Sequence, residues 1–93
     1  MFEIERGRFF KKDEKKVRLT DTQFQKYILY LSMLITGQHL PKEAQDHSLT
    51  GEWKDCREFH IGGDLVVIYR TDEENSILQL IRIGSHSQLF KKF

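Results

Sequence analysis

Three of the four histidines of this chain, His47, His60 and His86, stand in its second half beside residues that could partner them. His47 follows Asp46. His60 and Asp64 flank Gly62-Gly63, and a tight turn there brings the two positions close together. His86 comes four residues after Arg82, just beyond the break that Gly84 makes in an apolar run. An imidazole can move a proton near neutral pH, whereas a guanidinium stays charged and forks onto oxygens. The set therefore suits a site that handles a phosphate. RNA cleavage through the 2′-hydroxyl needs a base for that proton, an acid for the departing 5′-oxygen and cations for the charge that builds on phosphorus. Histidines, a carboxylate and an arginine meet those needs without a metal. Each acid–base group contributes about 10²–10⁴-fold, so several must act together.

Each residue alone also has a plainer reading. The Arg82–His86 stretch is equally what a strand end with a surface arginine and a solvated histidine looks like, and Asp64 is a common turn residue. Other chemistries find less support. A metal site drawn from His47, His60, Asp64 and His86 lacks a compact ligand spacing such as H-x-x-x-H, so neither metal nor cofactor is expected. Cys56 is the one cysteine, which excludes an internal disulfide and a cysteine cluster for zinc. Its place in a strand pattern marks it as a small buried hydrophobe. No P-loop or dinucleotide fingerprint is present. Trp53 reads as a core anchor more readily than as a base-stacking platform.

The elements that must position these residues follow from periodicity. Phe2 to Glu5 alternates as a short strand does. Arg8 to Leu19 reads as a helix with Phe10 and Val17 on one face. Thr20-Asp21-Thr22-Gln23 is a capping box, and Phe24, Tyr27, Ile28, Leu31, Leu34 and Ile35 then form the apolar stripe of a second helix that Gly37 stops. Residues 38–52, with Pro41 and Gly51, keep no period and read as a long loop. Three strands follow, at 54–61, 64–71 and 75–83, the first two joined by Gly62-Gly63. Leu65-Val66-Val67-Ile68-Tyr69 is apolar on both parities, as in a central strand covered on both faces. The expected fold is α+β: an N-terminal strand and a helical hairpin packed on a small, mostly antiparallel sheet, with a short tail. If the strands are neighbours, the histidines gather at one end of the sheet.

A chain of 93 residues makes one domain. No apolar run approaches the roughly 20 residues that span a bilayer, and the N-terminus lacks the apolar core of a signal peptide. Together with the single cysteine, this favours a cytoplasmic protein. Net charge is only +1, but its distribution is uneven. Arg6, Arg8, Lys11, Lys12, Lys15, Lys16 and Arg18 face only Asp13 and Glu14, and Lys91-Lys92 adds a second basic group. Such a patch suits a phosphate backbone, although a solvated helix face has the same composition.

Three blocks in order resemble a known family. Asp46-His47-Ser48-Leu49-Thr50-Gly51-Glu52-Trp53 is similar to D-H-x-L-x-G-x-W. Arg57-Glu58-Phe59-His60, with Asp64 and Tyr69 beyond it, is similar to R-x-x-H. Residues 82–90 are similar to R-x-G-[ST]-H-x-x-L-F. This is the pattern of YafQ-like toxins in the RelE/ParE superfamily. The resemblance implies a RelE-like fold and a type II toxin that enters the ribosomal A site, cuts mRNA there and is restrained by a cognate antitoxin, reaching operator DNA only through that complex. It assigns acid–base and active-site roles to His47, His60, Asp64 and His86. It gives phosphate stabilisation to Arg82 and substrate positioning to Phe90. Lys11, Lys12, Lys15 and Lys16 are expected to meet ribosomal RNA. Leu65 departs from the pattern, which often has an aromatic residue after the aspartate. The alternative is a toxin-like binding module without catalysis, or a gyrase inhibitor of the same superfamily.

Overall fold

The computed structural model describes residues 1–91; Lys92, one of the two terminal lysines noted above, lies outside them. Helix α1 (Arg8–Lys16) and helix α2 (Asp21–Ile35) form the hairpin. Strands β1 (Glu3–Arg6), β2 (His47–Ser48), β3 (Arg57–Gly62), β4 (Leu65–Asp72) and β5 (Ile77–Ser85) form one sheet in the order β1-β5-β4-β3-β2. Only β1 runs parallel to its neighbour; the other pairings are antiparallel. A short helix α3 (His86–Leu89) follows β5.

Local chemistry fixes the boundaries. The Thr20 hydroxyl accepts from the Gln23 amide N–H at 3.1 Å, and the Gln23 carbonyl oxygen accepts from the Thr20 N–H at 3.0 Å, which completes the capping box. The same Gln23 side chain donates to the Gly62 carbonyl, tying the hairpin of helices to the hairpin of strands. At the other end, Gly37 takes a left-handed conformation and passes its N–H to Leu34 while Gln38 donates to Met33, the double closure of a Schellman motif. Helix α1 ends at Lys16 rather than Leu19, because Val17 turns extended and directs itself and Leu19 toward the core.

The α2 stripe is rotated from the expected one. Tyr30, Leu31 and Leu34 are buried with Tyr27 beside them, whereas Phe24 and Ile28 are 55% and 50% exposed. This helix is apolar over a wide arc, and the sheet covers only the Tyr27–Leu34 side of it. The principal core lies between the helices and one sheet face, where Phe10, Tyr30 and Leu31 meet Phe59, Ile61, Val67, Tyr69, Leu78, Leu80 and Ile83. On the opposite face Val66, Ile68, Cys56 and Leu89 form a smaller cluster flanked by Leu49, Trp53, Ile81 and Phe90. Both faces of β4 are thus covered, as its double-parity pattern requires.

Two irregularities matter for the site. The β4–β5 register passes from Ile68↔Arg82 to Tyr69↔Leu80, leaving Ile81 as an extra residue. Alternation from Leu78 and Leu80 would have put residue 82 in the core; the bulge gives that place to Ile83. Arg82 instead reaches the sheet edge, where its Nε and Nη2 donate to Asp13 of α1 at 2.7 and 3.0 Å. The Ile83 N–H donates to the same carboxylate at 3.0 Å. One aspartate therefore pins α1 to the half of β5 that β1 does not cover. Asp13→Ala should lower the free energy of unfolding by about 1–3 kcal/mol, since it removes charge-assisted bonds that are largely shielded from water. Urea unfolding of both proteins measures this, and an unchanged midpoint would show that apolar packing alone holds α1.

Candidate active site

The candidate site is built on the sheet face opposite the helices. Along β3, Phe59 and Ile61 point into the main core, so Glu58 and His60 point the other way together. The unperiodic loop holds more structure than its sequence showed: single helical turns at Lys42–Ala44 and Gly51–Trp53, and between them the two residues of β2. In the β2–β3 register His47 lies directly opposite Glu58. The third histidine is the first residue of α3, a helix where a short tail is expected. Its signal was present, since Ser85-x-x-Gln88 is a capping sequence like Thr20-x-x-Gln23, and the Ser85 hydroxyl accepts from the Gln88 N–H at 3.2 Å. Gly84 allows α3 to fold back, because a Cβ there would stand 3.3 Å from the Leu89 side chain.

These elements converge on Glu58. Its side chain is 1% exposed, and three imidazoles surround it: Nε2 of His47 at 3.1 Å, of His86 at 3.7 Å and of His60 at 3.8 Å. The rings form a ladder, with centroids 6.2 Å apart from His47 to His60 and 6.4 Å from His60 to His86, and Phe90 4.5 Å beyond His86. The Nδ1–H of His47 donates to the Gln45 carbonyl at 2.7 Å, which leaves Nε2 to face the carboxylate. Oε1 of Glu58 is buried and has no hydrogen-bond partner among the described residues. The arrangement gathers three imidazoles, the side-chain type suited to moving protons, around one carboxylate. Glu58 carries no sequence signal of its own, being a variable position of the R-x-x-H block.

The ladder borders an open cavity of about 1000 Å³ whose wall includes His47, Glu52, Trp53, Glu58, His86 and Phe90. Trp53 is half-buried against the smaller cluster and meets Phe90 edge-on at 5.8 Å, so the expected core anchor is also a cavity wall. Leu65, where the family pattern often has an aromatic residue, packs toward the main core and is not part of this wall. Cys56 is buried, and burial pushes its thiol pKa up, as suits a hydrophobe rather than a nucleophile.

Two of the expected site residues stand apart from the imidazoles. Asp64 accepts from the Ser87 hydroxyl at 3.0 Å, and its backbone carbonyl accepts from the His86 N–H at 2.7 Å. It anchors the turn that carries His86. Arg82 lines a separate cavity of about 450 Å³ with Lys16, Arg18, Ser85 and Gln88, and the hydrogen bonds it donates to the Asp13 carboxylate push its high pKa further up. Lys11, Lys12, Lys15 and Lys16 are all exposed on the helical layer, away from the imidazole face. Phe9, also exposed, has Arg8, Lys12 and Arg82 about its ring.

A network on the main-core side supports His47 from behind. The Tyr69 hydroxyl donates to Asp46 at 2.7 Å, and Arg57 Nε donates to the same oxygen at 3.2 Å. Burial first, and the Asp46 contact second, push the Tyr69 pKa well up, so the phenol stays protonated as the donor. Asp46 is thereby fixed on one face and His47, the next residue, on the other.

The sheet order, the helical hairpin on one face and the imidazole cluster on the other define an α+β toxin of the RelE-like class. More narrowly, the sequence profile described as "Bacterial toxin of type II toxin-antitoxin system, YafQ" matches residues 2–91, and the chain belongs to that family. It is 32% identical over 90 residues to the mRNA interferase toxin YafQ of Escherichia coli strain K12, covering 95% of each chain. Among solved structures it resembles a metal-bound toxin from Helicobacter pylori, with a TM-score of 0.83, 35% identity and coverage of 97% of this chain and 100% of that one. It also resembles a chain of the Escherichia coli DinJ-YafQ complex, with a TM-score of 0.79, 31% identity and coverage of 97% and 99%.

Tyr69→Phe should lower the unfolding free energy by about 1 kcal/mol, the net value of a buried hydrogen bond. Denaturant titration checks this, and equal stability of the two proteins would show that Arg57 alone suffices to hold Asp46.

Proposed function

We propose that this chain is the toxin of a type II pair and a ribosome-dependent mRNA endoribonuclease that needs no metal for its chemistry. The single observation that carries this reading is the buried Glu58 carboxylate with three imidazole nitrogens at 3.1–3.8 Å beside a cavity with aromatic walls. In the proposed reaction one imidazole takes the 2′-hydroxyl proton as the 2′-oxygen bonds to phosphorus. The bond from phosphorus to the 5′-oxygen breaks, and a second, protonated imidazole supplies the proton to the leaving oxygen. His86 stands between the carboxylate and Phe90, and is the group placed closest to a base stacked on the aromatic wall. His47 and His60 hold the other proton position, and Glu58 sits beside all three rings.

Asp64 then acts by fixing the His86 turn. Arg82, with Lys16 and Arg18, receives a phosphate next to the scissile one, its guanidinium aimed by Asp13. Trp53 and Phe90 hold a nucleobase, taking over the stacking that Leu65 does not provide. The exposed lysines of α1 meet ribosomal RNA, which places the work in the cytoplasm. A cognate antitoxin, as DinJ is for YafQ in the related complex, covers the imidazoles or competes for the basic helix with an acidic segment.

Primer extension on translating ribosomes tests the reading directly: cuts within codons are expected, and DNA damage without mRNA cleavage would replace the nuclease with a gyrase inhibitor. His86→Ala and Glu58→Gln should each reduce cutting by about 10²–10⁴-fold, the weight of an acid–base group, with circular dichroism unchanged. Full toxicity in folded His86→Ala protein would remove that residue from the chemistry. Charge reversal at Lys11, Lys12, Lys15 and Lys16 should weaken ribosome binding and flatten its dependence on salt. Binding that is equally tight and equally salt-sensitive after reversal would move the RNA contact elsewhere.

A further inference from the structure

We infer that Phe9, on the exposed side of α1, is a stacking platform for one unpaired base of the RNA strand whose phosphate Arg82 receives. The platform stands on the residues alone, while its place on the substrate strand rests on the nuclease reading.

Helix α1 carries two phenylalanines in succession and buries only one of them. Phe10 is fully enclosed by the main core, whereas Phe9 is 58% exposed. A single apolar side chain on a surface is ordinary. What sets this one apart is its company. Arg8, Lys12 and Arg82 bring cationic groups to 6.0, 5.9 and 5.9 Å from the ring centroid. Lys12 is one helical turn on from Phe9, and Arg82 comes from β5. These separations lie at the outer limit of cation–π attraction, roughly 6 Å, and beyond the van der Waals contact distance of about 3.5–4.0 Å. None of the three cations is therefore packed onto the ring, and a flat ligand has room to stack there.

An unpaired nucleotide has the two features that this setting matches, a π-face and a phosphate, joined through one sugar. Proteins that hold single strands combine aromatic side chains for the bases with cations for the backbone. An acidic peptide would neutralise the cations and leave the ring in water. Arg82 decides which strand is bound. Two of its nitrogens are committed to Asp13, which fixes the guanidinium, and the same residue lines the 450 Å³ cavity that meets the imidazole cavity at Leu89. A strand held at Arg82 has its next base within reach of Phe9. The substrate then has an aromatic anchor on each side of the fixed cation, Trp53 with Phe90 on one and Phe9 on the other. The sequence concealed this role, because Phe9 has no part in the period that Phe10 and Val17 mark on α1.

The test is titration of the full chain with a 2′-O-methyl adenine oligonucleotide of about six residues, a length such sites span, which cannot be cut through the 2′-oxygen. Phe9→Leu keeps an apolar side chain at an exposed position. It should weaken binding about 5- to 150-fold, the weight of one stacked base, with the salt slope unchanged because no phosphate contact is lost. Phe9→Tyr should bind as the parent does, and so should Phe24→Leu, at a ring that is 55% exposed. An abasic strand of the same length should bind the parent and Phe9→Leu equally. In Phe9→Trp the oligonucleotide should quench fluorescence beyond the quenching of Trp53 in the parent, a readout of stacking itself. No binding by the parent, equal affinity in Phe9→Leu, or no added quenching overturns the platform even where mRNA is still cut. A loss confined to ribosomes without mRNA gives the ring to ribosomal RNA, and a loss confined to the cognate antitoxin gives it to a protein. Either result overturns the inference. A chain that cuts no mRNA but binds the oligonucleotide through Phe9 overturns the nuclease reading while the platform stands.

Discussion

A carboxylate taken out of water is tolerated only where positive or polar groups surround it, because its effective desolvation cost is several kcal/mol. Glu58 has around it His47, His60 and His86, which come from three different elements. Each of those elements must therefore be placed correctly before the carboxylate is compensated. This one requirement explains features that otherwise look incidental: a two-residue strand formed just long enough to set His47 opposite Glu58, and a one-turn helix closed by Ser85, Gly84 and Leu89 so that His86 faces inward. The cluster is a structural demand and a chemical opportunity at once.

Support for the cluster comes from the face where no chemistry is expected. Strand alternation sends neighbouring residues to opposite sides, so fixing one fixes the next. Asp46, bonded to Tyr69 and Arg57 on the main-core side, sets the aim of His47 on the other. Phe59, buried between Tyr30 and Tyr69, does the same for Glu58 and His60. Packing of the hydrophobic core thus carries the precision of the polar site, and a core mutation under β3 would disturb both.

Much of this was legible in the sequence. The capping box at Thr20, the Gly37 stop, the Gly62-Gly63 hairpin and the two-sided β4 all follow from local rules that tertiary context reinforces. The convergence of three histidines followed once the strands were taken as neighbours. What stayed hidden was set by register and depth. Glu58 looks like any charged residue in a strand until β2 pairs with β3 and covers it. Arg82 left the expected group because a single bulge residue, Ile81, turned it to the sheet edge, and bulges have no strong sequence signature. Phe24 and Ile28 fitted the helical period, but a period alone does not say how wide an arc the sheet will cover.

The charge distribution resolves an apparent conflict between a near-neutral chain and a polyanionic target. The two acids of α1 are not spread among its lysines in solution. Asp13 is committed to Arg82 and the Ile83 amide, and Glu14 to Arg6 at 2.8 Å. With both acids paired to arginines, Lys11, Lys12, Lys15 and Lys16 present a positive field over a distance comparable to the screening length of about 8–10 Å. On the opposite face, Glu58 lies beneath the imidazoles, so an approaching phosphate meets ring nitrogens before it meets the carboxylate. Helix α3 joins the two regions, since Leu89 borders both the imidazole cavity and the Arg82 cavity. A strand of RNA crossing α3 would pass from the imidazoles to the fixed cations within a few nucleotides, so net charge is a poor guide to a protein that sorts its charges by layer.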